Sequence, residues 1–92
     1  MSVKVRLRRP PAYEETDLQW QDDEWGALNR RLVRESCWLY RETVRDTCAA
    51  RADKIRRVIV TWPDSDPDKA VLLALALVFD RAGREGLTVV IE

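Results

Sequence analysis

Histidine is absent from the 92 residues, and that absence narrows function further than any residue present. Without it the chain lacks the commonest general base, the commonest metal ligand and the usual partner of a nucleophilic serine or cysteine. The expectation is a protein that is not an enzyme. Net charge is missing too: sixteen basic side chains cancel sixteen acidic ones, so no global field draws the molecule toward nucleic acid or anionic lipid, and neither is expected as a partner. The longest apolar run, Ala70 to Phe79, is ten residues, about half of the roughly 20 that a spanning helix needs. It reads as a core helix, not a membrane one. Met1 to Arg6 mixes valine with charge and forms no apolar signal segment, which predicts a cytoplasmic protein. Glycine is scarce, three in all, and no glycine-rich loop is available to cradle a nucleotide phosphate.

Only two cysteines are present, Cys37 and Cys48. On a single helix they share a face about 16 Å apart, beyond the roughly 7 Å that a disulfide tolerates, so both are expected as buried free thiols. A zinc site would need them together with carboxylates three turns away, and no metal or other cofactor is expected. Asp64, Asp66 and Asp68 alternate like the first ligands of a calcium loop. Lys69 stands where that loop needs glycine and Leu75 where it needs a bidentate glutamate, so the three acids read as the start of a helix.

The elements suggest one domain over residues 1–92. Val3, Val5 and Leu7 alternate with Lys4, Arg6 and Arg8, the period of a half-buried strand, which Pro10-Pro11 ends. Thr16 to Trp20 alternates again and predicts a hairpin; the competing reading is one long loop over residues 9–21. Asp22-Asp23-Glu24 opens a helix that neither proline nor a further glycine after Gly26 interrupts before Ala52. At about thirty residues it would be roughly 45 Å long, so it overhangs the sheet or breaks near Thr43 to Thr47. β-Branched Ile55 to Trp62 predicts a third strand, Pro67 to Ala82 a second helix with Asp66 as N-cap, and Leu87 to Ile91 a last strand. The strand–helix–strand succession implies a parallel, right-handed crossover. The predicted fold is therefore α/β (α+β): a two-layer sandwich of a four-stranded mixed sheet with two helices on one face, in the order ββαβαβ. Strand order 2-1-3-4 satisfies the handedness; a fourth strand beside the first remains open.

Two surfaces stand out. Projected on the first helix, Trp38 falls among Arg34, Arg41 and Arg45 on the otherwise solvated side, the tryptophan and arginine pairing of interface hot spots, and this group is the candidate partner-binding site. Arg31 and Glu35 lie at pairing distance on the same side. Lys4, Arg6, Arg8 and Arg57 are expected on the sheet's open face without an aromatic platform for nucleic acid. On the second helix Val71, Leu72, Leu75, Val78 and Phe79 form the sheet-facing stripe, while Leu73 and Leu77 project to the opposite side beside Ala70 and Ala74. Packing of these two leucines on the first helix gives a monomer, and failure of that packing leaves an apolar ridge suited to a homodimer.

The helix start Ser65-Asp66-Pro67-Asp68-Lys69-Ala70 and the turn Arg81-Ala82-Gly83-Arg84-Glu85-Gly86 leading to Leu87-Thr88-Val89-Val90-Ile91 resemble idealised, computationally designed α/β proteins. The resemblance is one of style and covers residues 64–92. Thirteen arginines against three lysines, with four tryptophans and two cysteines, depart from it and suit a natural protein of a GC-rich genome. It implies a stable scaffold domain with no evolved biochemical function and no required partner. The alternative is a small protein-interaction module that uses the Trp38 and arginine face.

Overall fold

The computed structural model describes residues 2–92. Pro10 and Pro11, joined by a cis peptide bond, separate two strands that pair antiparallel, β1 (Ser2–Arg9) and β2 (Ala12–Gln21). The hairpin expected from alternation is present, and its second strand is longer than the Thr16 to Trp20 expected. The register slips between Lys4 and Arg6. There the Thr16 hydroxyl donates to the Val5 carbonyl at 2.7 Å and accepts from the Leu18 amide at 3.2 Å, so a side chain satisfies the backbone where the ladder is broken.

Helix α1 (Asp22–Arg34) starts where the three acids place it, and the Gln21 amide donates to Glu24 Oε1 at 3.0 Å in a capping box. Its end corrects the long helix. Ser36 takes φ +57°, the Ser36 amide donates to the Val33 carbonyl at 2.9 Å, and the Cys37 amide donates to that of Leu32 at 3.0 Å. This pair of bonds closes a helix in the Schellman manner, usually with glycine at the left-handed position. Serine there gives no sequence warning.

After a loop come the two-residue strand β3 (Glu42–Thr43) and helix α2 (Arg45–Ile59). The strand expected at Ile55 to Trp62 is therefore the end of a helix followed by a turn. Cys48, Ala52, Ile55 and Ile59 are buried at three- and four-residue spacing, and that face of helix outweighs the β-preference of its branched residues. With this strand gone, no parallel crossover exists.

Helix α3 (Pro67–Glu85) follows, and Asp66 caps it by accepting from the Asp68 amide at 3.0 Å. It runs past Gly83 and stops at Gly86, whose φ of +71° suits glycine. Gly83 instead faces α2: a Cβ there would lie 3.7 Å from that of Cys48. Strand β4 (Thr88–Ile91) ends the chain and pairs antiparallel with both β1 and β3, giving the order β2-β1-β4-β3.

The sheet is thus wholly antiparallel rather than mixed, and three helices rather than two accompany it in the order ββαβααβ. Val5, Leu7, Trp20, Val89 and Ile91 from the strands share one buried cluster with Leu28, Leu32, Ile55, Ile59, Leu72, Leu75 and Phe79 from the helices. Burying these groups is the main source of stability. On the sheet's other face Val90 is only 2% exposed yet lies outside this cluster. Arg6 and Glu42 neighbour it in register, Arg8 bonds Glu42 at 2.9 Å, and Glu92 accepts from Arg6 at 3.3 Å and from Arg41 at 2.6 Å. Arginine stems and their ion pairs roof this face. Arg57, expected there, lies on α2 instead.

Two further expectations fail for the same reason. Arg31 does not pair with Glu35; it bonds Asp66, and Asp68 at 3.0 Å, with its guanidinium 3.6 Å above the Trp62 ring. Leu73 and Leu77 do not pack on the first helix; α3 packs chiefly on α2, and the two leucines are 44% and 64% exposed. No helix among the described residues is long and apolar enough to cross a membrane.

Candidate interaction surface

The loop from the end of α1 to the start of α2, residues 35–44, alternates like a strand although most of it pairs with nothing. Cys37 is fully buried and Leu39 packs on the core, while Trp38 and Tyr40 between them are 49% and 52% exposed. Extended chain sends successive side chains to opposite sides, so anchoring the odd positions in the core presents the even ones to solvent. Beyond them the Arg41 carbonyl accepts from the Ile91 amide at 2.8 Å, which ties the end of the segment to the sheet. Two aromatic rings are thus held outward on a braced loop.

Helix α2 runs beneath this loop with its cations. The Arg51 guanidinium lies 4.9 Å from the Tyr40 ring centre, close enough for cation–π attraction. Arg51 and Lys54 both act on the Cys37 thiol, drawing its pKa down, yet burial outweighs them and pushes it above its ordinary value. A shallow cleft of about 340 Å³ beside the loop is lined by Glu35, Lys54, Arg57, Val58 and Thr61. A second, of about 320 Å³, lies across the loop and is lined by Val3, Trp25, Leu39, Tyr40, Arg41, Ile91 and Glu92.

About half of the molecule's cations are paired. Arg6, Arg8, Arg9, Arg31, Arg41, Arg56, Lys69 and Arg81 each meet a carboxylate within 4.0 Å. Among the described residues Lys4, Arg30, Arg34, Arg51, Lys54, Arg57 and Arg84 have no such partner. Of these, Arg51 lies against Tyr40, and Lys54 and Arg57 share a cleft with Glu35, so cations outnumber acids beside the loop.

Of the four residues expected to form a binding face, the structure places none on a common helix face. Arg34 ends α1, Trp38 and Arg41 are in the loop, and Arg45 opens α2 with its side chain against Gly86. Arg41 is bound to Glu92 on the open face of the sheet. Trp38 is exposed on the loop, and Tyr40, Arg51, Lys54 and Arg57 lie on or beside it. The missed signal is the alternation Cys37-Trp38-Leu39-Tyr40, which fits a helix less well than an extended segment.

The acids that resemble a calcium loop are engaged elsewhere. Asp64 accepts from Lys69 at 2.8 Å, and Arg31 holds the Asp66 carboxyl below its ordinary pKa. No group of three histidine, cysteine, aspartate or glutamate residues among those described is placed to hold a metal. No protein-family model, curated protein or solved structure matches the chain.

Proposed function

We propose that this chain is a non-catalytic interaction domain that docks an acidic, partly apolar segment of another protein on the loop between α1 and α2. The observation that carries the reading is the half-exposed pair Trp38 and Tyr40 on one loop, with Arg51 against the Tyr40 ring and Lys54 and Arg57 beside Glu35 in the adjoining cleft. Tryptophan, tyrosine and arginine are the residues in which binding energy concentrates at interfaces, and free cations beside them favour carboxylates in the partner. A peptide is favoured over a nucleic acid because Arg51 already covers one face of the Tyr40 ring, which leaves no pair of open platforms for stacked bases.

The test is a titration of the protein with a synthetic peptide alternating glutamate and leucine, and in parallel with a mixed-sequence single-stranded oligonucleotide. Peptide binding that weakens as salt is raised supports the proposal. Preferential binding of the oligonucleotide assigns the surface to nucleic acid instead. Binding of neither leaves the reading of a scaffold domain without a partner.

A further inference from the structure

A second surface is unpartnered on the other side of the molecule. Helix α3 carries no charge between Lys69 and Asp80, and the core takes only one side of it: Leu72, Leu75, Ala76 and Phe79 are buried, while Leu73 and Leu77 are 44% and 64% exposed. Ala70, Leu73, Ala74 and Leu77 fall at i, i+3, i+4 and i+7, the spacing of an apolar seam. Solvent-facing helix is normally charged, as α2 is at Arg45, Asp46, Asp53 and Arg57. The groove alongside, lined by Glu15, Thr16, Asp17, Leu18, Ala74, Val78 and Arg81, runs from the ridge toward β2 with a charged rim around Leu18, Ala74 and Val78.

We infer that this ridge is the seam of a two-fold homodimer in which α3 packs antiparallel on α3 of a second copy. The pattern is complementary to itself. Reversal about the midpoint of Leu73 and Ala74 exchanges position 70 with 77 and 73 with 74, so every leucine meets an alanine of the other copy, and the small residues admit close approach.

Charge chooses the orientation. The N-terminal end of α3 carries Asp64, Asp66 and Asp68 against Arg31 and Lys69. The C-terminal end carries Arg84, which has no carboxylate partner among the described residues, while Arg81, Arg9 and Arg56 there are bound to Glu14, Glu85, Asp80 and Asp53. Antiparallel packing brings the acids at the start of each helix toward unpaired Arg84 of the other copy and opposes the two helix dipoles; parallel packing sets the acids of the two copies together. The edge strand β2 offers the other route to self-association, but Glu15 and Asp17 lie along it and repel a second copy, whereas the ridge positions themselves carry no charge.

A seam of four residues with its flanking groove is smaller than the roughly 1,200 Å² of a standard interface, so the dimer is a concentration-dependent one. Sedimentation over a broad concentration range should show the mass rise from 10.7 kDa to twice that value. Leu77→Glu should weaken association by about tenfold or more with an unchanged circular dichroism spectrum and unchanged melting at high dilution. A wild-type mass that stays monomeric at every concentration, or a Leu77→Glu protein that dimerises as well as wild type, overturns the inference. Orientation is read by crosslinking, since native Cys37 and Cys48 are buried. An oxidised equal mixture of Ala70→Cys and Leu77→Cys should yield the mixed disulfide dimer, whereas disulfides within each variant alone, or none at all, contradict the antiparallel seam.

Discussion

Cys37 and Cys48 are buried free thiols, and the route by which the sequence suggests this differs from the reason it holds. A helical projection puts both on one apolar arc. In fact Cys37 anchors the loop after α1, while Cys48 sits in α2, where its thiol lies 3.3 Å from the Val44 carbonyl and its Cβ faces Gly83. Small size and apolar character were legible; the backbone carrying them was not. Burial pushes both thiols above the ordinary pKa of 9.0, so little thiolate forms in the folded protein near neutral pH. A thiol reagent should react slowly with the native protein and rapidly in denaturant. Fast reaction of either residue in buffer would show that the loop or α2 is seated otherwise. The linkage sign follows: a thiol whose folded pKa is raised contributes stability that is present below the unfolded value and lost as pH rises through the folded one.

Among the elements, those with side-chain punctuation were legible and those closed by backbone geometry alone were not. The acids before α1 and the Asp66-Pro67 start of α3 state their helices plainly, and Pro10-Pro11 marks the hairpin. The end of α1 has no such mark, because Ser36 occupies a left-handed position that glycine usually fills. From that one residue the rest of the misreading follows: α2 was hidden inside an overlong helix, and its last turns, rich in β-branched residues, resembled a strand. Replacing Ser36 by glycine should remove the clash of a Cβ in this conformation, at the cost of extra freedom in the unfolded chain. The net gain expected is up to about 1 kcal/mol, measured by denaturant unfolding. A loss of more than that would mean that the serine side chain does more than occupy the turn. The candidate surface is half legible for the same reason: the sequence marks Trp38, but a helical projection places it on a helix that ends before it.

At the scale of the whole molecule, ion pairs join elements distant in sequence. Arg81 of α3 binds Glu14 of β2 and, at 2.6 Å, Glu85; Arg31 of α1 binds Asp66 and Asp68. Hydrogen bonds from these arginines hold Glu14 below its ordinary 4.5 and Asp66 below its ordinary 3.8. Their stabilisation is complete above those values and disappears as pH falls through the lowered folded ones. Because the chain has no histidine, melting should be nearly flat between about pH 5 and 8 and decline below about pH 4.5. Arg81→Gln should flatten part of that acid limb, and an unchanged limb would remove the Glu14 pair from the explanation. The loop between α1 and α2 adjoins β3 at one edge of the sheet, and the α3 ridge adjoins β2 at the other. A dimer through the ridge would leave both loops free and offer a divalent partner two sites, raising avidity without any new contact. That arrangement depends on the docking loop being a binding surface that folding does not need. The direct measurement is the acidic-peptide titration repeated on Trp38→Ala, with melting followed in parallel. Loss of binding with stability changed by no more than about 0.5 kcal/mol is the expected result. Undiminished binding, or a stability loss of the roughly 3–5 kcal/mol typical of a buried aromatic, would contradict it.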